Sequence, residues 1–161
     1  MSFVIDLSIE SGDWGALEDP SRLAETVIRA AIARSGVKLI EGAEISIVLC
    51  DDAFIRDLNR KWRGLDKPTN VLSFPAGGPA GAPILGDIVI ACETAASEAL
   101  EAQKPLRDHV AHLLAHGFLH LIGYDHIEDA KALEMEALER DILATLGIDD
   151  PYQDALIQAA N

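Results

Sequence analysis

Residues 84–92, ILGDIVIAC, form an almost unbroken apolar run of strand length. A strand that is apolar on both faces has to be covered on both, so helices must flank the sheet that contains it. Asp87 interrupts the run, and its charge has to be paired or left at the surface. Around this central strand the chain marks out its own elements. Residues 3–9 alternate apolar and polar side chains, the pattern of a half-buried strand. Asp19 and Pro20 open a helix that carries Leu23, Val27, Ala31 and Ile32 at helical spacing, and Gly36 ends it. Residues 44–50 are a second strand, and Asp51 begins a helix that sends Ile55 and Leu58 inward. Residues 69–74 are a strand with Pro68 before it and Pro75 after it, which suits a sheet edge. Residues 76–83 hold only Gly, Ala and Pro, the composition of a mobile connection. Helices over 93–103, 105–122 and 128–146 complete the chain, the last stopped by Gly147. The expected fold is α+β, a small mixed sheet of about four strands packed with about five helices, in a single domain over residues 1–161.

No apolar stretch approaches the roughly 18 residues that a membrane-spanning helix needs. The N-terminal MSFVIDLSIE has neither the basic start nor the long apolar run of a secretory leader, so a cytoplasmic location and no membrane partner are expected. Cys50 and Cys92 each close an apolar run, outside any paired metal or redox spacing, and read as buried thiols.

The net charge of −14 works against a polyanionic partner. It does not exclude one, because salt screens exposed charges beyond about 8 Å and a compact basic patch can act locally. Arg56, Arg60, Lys61, Arg63 and Lys67 place five of the thirteen basic residues in one short window. That window is either a solvated helix face or a phosphate-contacting patch.

The chemistry gathers in residues 108–126, which hold all five histidines. In a helix, residues four apart stack one turn above another, so His112, His116 and His120 share a face while Val110, Leu113, Leu114 and Leu121 dock the other side. Gly123 permits the turn that ends the helix and lets His126 swing back towards His116 and His120. Three imidazoles suit zinc and leave a fourth tetrahedral position open for water, the arrangement of a catalytic site. The spacing His116, His120, Gly123, His126 is that of the metzincin proteases. Those enzymes place a glutamate general base directly after the first histidine, where this chain has Gly117, so peptide hydrolysis lacks its proton acceptor. A mid-helix glycine costs up to about 1 kcal/mol against alanine, which points to a close approach at Gly117, a neighbouring strand being the plain explanation.

The stretch HGFLHLIGYDH from His116 to His126 resembles the hallmark of the YbeY family of bacterial rRNA-maturation endoribonucleases. The resemblance extends to RGLDKPTNVLSFP from Arg63 and to LGDIVI from Leu85. It implies one zinc ion on His116, His120 and His126, and a catalytic Arg63 beside the metal. It also implies single-stranded RNA as substrate, 16S rRNA 3′-end maturation, and ribosomal small-subunit precursors and assembly factors as partners, with no DNA. Arg56, Arg60, Lys61 and Lys67 are then the RNA-binding candidates. His112 is expected to support the site as a neighbour, relay or packed ring, and Asp125 either to orient a ligand imidazole or to cap the next helix. Tyr124 lines the cleft or packs, Asp87 can bond loop amides, and His109 lies outside the ligand set. The attacking oxygen stays open between water and the ribose 2′-hydroxyl. A zinc-stapled assembly factor without catalysis is the second reading, and a metalloprotease the last.

Overall fold

A computed structural model describes residues 2–77 and 83–152. The chain runs β1 (Phe3–Ile9), α1 (Pro20–Ser35), β2 (Ala43–Cys50), α2 (Asp52–Arg63), β3 (Val71–Pro75), β4 (Ile84–Ala91), α3 (Cys92–Glu101), α4 (Leu106–Leu121) and α5 (Asp129–Thr145). The sheet order is β1-β2-β4-β3, with β1, β2 and β4 parallel and β3 antiparallel to β4. Among the described residues the α+β fold, the mixed four-stranded sheet and the five helices match the expectation from sequence. So do the edge position of β3 and the interior position of β4. Most of the connection over 76–83 lies outside the described residues.

Strand alternation divides the interior into two layers. Ile45, Ile47 and Leu49 of β2 and Ile88 and Ile90 of β4 face the larger core, with Val27, Ile28 and Ala31 of α1 and Phe118 and Leu119 of α4. The alternate residues Cys50, Val89 and Ala91 meet Leu72 and Ile55 of α2 on the other side. Asp87 sits towards the start of β4 and is exposed, so its charge stays in water. Both thiols are buried, and burial pushes the Cys50 thiol up to about 12.

The helix ends follow local chemistry. Asp19 caps α1 by accepting from Arg22 N at 3.2 Å, and Asp51 caps α2 by accepting from Phe54 N at 2.9 Å. Helix α5 departs from expectation, because its N-cap is Glu128, which makes no side-chain cap bond, while Asp125 accepts from Ile127 N at 3.2 Å in the preceding turn.

Gly117 explains how closely α4 lies on the sheet. A Cβ there would sit 2.8 Å from Ile88 Cγ2 and 3.1 Å from Ser73 Oγ. Ile88 is fully buried and β-branched, so it has little freedom to move aside. The strand, not a ligand, makes the close approach. We expect Gly117→Ala to destabilise the protein by up to about 2 kcal/mol, an overpacking cost of about 1–3 kcal/mol less a helix-propensity gain of about 1 kcal/mol. Denaturant unfolding checks this, and a raised midpoint would refute it.

Candidate metal centre

Helix α4 puts His116 and His120 one turn apart on the side not buried against the core, and the turn behind it brings back His126. Gly123 makes the reversal at φ 106°, a conformation that L side chains rarely adopt. One nitrogen from each of the three rings lies within 4.8 Å of the others. His116 and His120 are half-buried and His126 is exposed at the mouth.

The hydrogen bonds orient two of these rings. His116 Nδ1 lies 2.5 Å from Glu139 Oε1, and His120 Nδ1 lies 3.0 Å from the Tyr124 carbonyl. A carboxylate and a carbonyl only accept, so each Nδ1 carries a proton, and in the neutral ring Nε2 is then the nitrogen with the free lone pair. Those two Nε2 atoms are 3.1 Å apart. At this distance the two nitrogens can share a proton or lie against one cation, and ligand bonds of about 2.0–2.1 Å at a tetrahedral zinc place two nitrogens about 3.3–3.4 Å apart, close to that separation. The donor set fits a borderline divalent metal such as zinc. Burial, with the neighbouring His116 and His126, holds the His120 imidazole down at about 4, so it is neutral and able to bind metal near pH 7.

The opposite wall of the cleft comes from the end of α2, the loop after it and β3. Arg63 donates from its guanidinium to the Ser73 carbonyl at 3.0 Å, and its Cζ lies 5.7 Å from the centre of the Phe74 ring. The buried Asn59 donates to the Lys67 carbonyl at 2.9 Å and so pins the loop carrying Lys67. Arg63, Lys67, His116, His120 and His126 thus line one cleft of about 600 Å³. The rest of the basic patch is placed differently. Arg56 pairs with Asp66 at 2.8 Å, Arg60 with Asp57 at 3.2 Å, and Lys61 lies 5.4 Å over the Trp62 ring.

Among the other sequence candidates, His112 lies outside the three-histidine group, with Nε2 3.3 Å from the Tyr152 hydroxyl and 3.5 Å from Glu139 Oε2. Asp125 turns to Ile127 N and, at 3.8 Å, to Lys131. His109 is buried against Glu98 at 2.8 Å, and burial lowers its pKa. Tyr124 lines the cleft and offers its carbonyl to His120.

Glu139 is the residue that sequence reasoning missed. It is fully buried on α5 and takes His116 on one oxygen and the Tyr152 hydroxyl on the other. Burial by itself would raise its carboxyl, but the bonds with His112 and His116 outweigh that and hold it at about 2. The signal was present, because Met135, Glu139, Ile142 and Leu143 form the buried stripe of α5 and only one of them is charged.

Residues 11–147 match the family model described as Endoribonuclease YbeY. The chain belongs to the YbeY family. A YbeY relative from Methylocella silvestris, named an endoribonuclease, is 69% identical over 157 residues, covering 97% of this chain and 89% of the relative. One from Azorhizobium caulinodans with the same name is 55% identical over 152 residues, covering 92% and 95%. The solution structure of a Thermotoga maritima protein shares the fold of this YbeY chain at a TM-score of 0.60, with 25% identity and 86% of each chain covered.

Proposed function

We propose that this chain is a zinc-dependent endoribonuclease for single-stranded RNA, acting in the cytoplasm in 16S rRNA 3′-end maturation and in ribosome assembly and quality control. The observation that carries the reading is the convergence of one nitrogen from each of His116, His120 and His126, with Arg63 in the same cleft. Membership of a family whose relatives are named endoribonucleases supports it. Among the described residues no helix is long and apolar enough to cross a membrane.

His116, His120 and His126 would hold one zinc ion. Bound there, the ion supplies Lewis acidity towards a phosphoryl oxygen and lowers the pKa of a water to about 7. The protein's own groups do the rest. Arg63 offers a planar, permanently charged guanidinium that can take two equatorial phosphate oxygens as negative charge gathers on them. The Ser73 carbonyl and the Phe74 ring hold that guanidinium at the cleft wall. Glu139 cannot act as general base, since it lies on the Nδ1 side of His116 and is fully buried. With Gly117 packed on Ile88, the base of a metzincin protease has no counterpart, which disfavours peptide hydrolysis.

The deciding experiment is cleavage of end-labelled single-stranded RNA, duplex RNA and single-stranded DNA by the protein as purified, after chelation and after zinc is restored. The reading requires cleavage of the single-stranded RNA alone, lost on chelation and regained with zinc. Bound zinc without cleavage would instead indicate a metal-stapled assembly factor. A 2′,3′-cyclic phosphate end would identify the ribose hydroxyl as nucleophile.

The placement of the basic residues supports different roles for them. Lys67→Ala should raise KM for RNA several-fold and reduce the salt slope of binding by about one phosphate contact. Arg56→Ala should change KM less than about twofold, since its charge is already paired with Asp66 at the surface. Binding titrations at several salt concentrations measure both, and equal slopes for the two variants would contradict the assignment.

A further inference from the structure

We infer that Glu139, clamped by Tyr152 from the turn after α5, is a positioning residue of the metal centre that fixes the tautomer of His116 and supplies it with a negative charge. The inference rests on the three histidines forming a metal centre. A carboxylate with no exposure, among Met135, Ile142 and Leu143, is costly to bury unless donors surround it, and a leucine would pack there without that cost. Its donors come from two separate elements. Helix α4 brings His116 Nδ1 to Oε1 at 2.5 Å and His112 Nε2 to Oε2 at 3.5 Å, while Tyr152 donates its hydroxyl to Oε2. Tyr152 is itself held edge-on against the His112 ring at 5.4 Å, with the Arg140 guanidinium 6.0 Å from its centre.

Two consequences reach the cleft. Because Oε1 only accepts, His116 keeps its proton on Nδ1 and aims the Nε2 lone pair at His120 Nε2. The reversed tautomer would set a lone pair against the carboxylate and a proton in the metal position. Three neutral imidazoles also bring no charge to a divalent cation, and a carboxylate behind one ring compensates it through that ring and makes the ligand more basic. Tyr152 keeps Oε2 occupied, so the carboxylate cannot rotate away, and the turn at residues 151–152 becomes a working part of the site.

The test measures zinc affinity of the full chain by competition with a chelator of known affinity, together with the His116 tautomer from imidazole nitrogen shifts in metal-free protein. Glu139→Gln, nearly isosteric, should bind zinc about 10-fold to 100-fold more weakly and mix the His116 tautomers. Tyr152→Phe should weaken zinc less, by about 3-fold to 10-fold, and shift the tautomer in the same direction. It removes no buried charge, so it carries the test if Glu139→Gln does not fold. Zinc affinity within twofold of wild type and an unchanged tautomer in the folded variants would overturn the inference. Failure of the wild-type protein to bind zinc would overturn it together with the metal-centre reading, whereas zinc binding without RNA cleavage would remove only the proposed reaction.

Discussion

Arg63→Ala is expected to keep one metal ion per chain and to lose RNA cleavage by about 100-fold to 1000-fold, the usual effect of removing one electrostatic partner of a developing oxyanion. The division follows from where its bonds go. Arg63 is fastened to the Ser73 carbonyl and the Phe74 ring, on the β3 wall, and makes none of the contacts that orient the imidazoles. Removing it leaves α4, the Gly123 turn and Glu139 as they are. Arg63→Lys should recover little, because an ammonium cannot take two phosphate oxygens in one plane. Metal analysis beside single-turnover cleavage separates the two properties. If Arg63→Ala lost its metal in step with its activity, the arginine would belong to the metal centre and not to the phosphate.

What could be read from the residues depended on how local the governing interactions are. The strands and helices were legible because their periodicity and caps lie within each segment, as Asp19, Asp51 and Gly36 illustrate. Where side chains compete for backbone, the limits moved. The strand expected from Thr69 begins at Val71, because Asn70 turns its carbonyl oxygen onto Val71 N at 2.7 Å and its amide onto Glu98 at 2.9 Å. The three-histidine cluster was legible for the same local reason, two rings on one helix face and a glycine turn. Glu139 was not, since it lies 23 residues from His116 on another helix and becomes a partner only when α4 and α5 pack. The basic patch was half legible. Asp57 and Asp66, which pair with Arg60 and Arg56, stand in or beside the same window, so the sequence already held the acids that take those two cations out of the cleft's service.

The companion expectation concerns His120→Ala, which should lose tight metal binding and cleavage together. His120 contributes one of three nitrogens, and its Nδ1 bond to the Tyr124 carbonyl also ties α4 to the turn that returns His126. Removing the ring therefore takes away one ligand and loosens a second. The helix itself should persist, because alanine is the best helix former. Acid response offers a separate check on the fold. His120 has an ordinary value of 6.5 and is held at about 4 in the folded protein. Between those values the unfolded chain takes up a proton that the native state refuses, so metal-free wild type loses stability as pH falls from about 6.5 towards 4. The alanine variant lacks this group and should show a shallower loss over that window in pH-dependent unfolding. Kinetics supply the last discrimination. If the metal and Arg63 act on the same phosphate as one unit, adding Arg63→Ala to His120→Ala should slow residual cleavage far less than it slows wild type. Fully additive losses would mean that the arginine and the histidines serve independent steps.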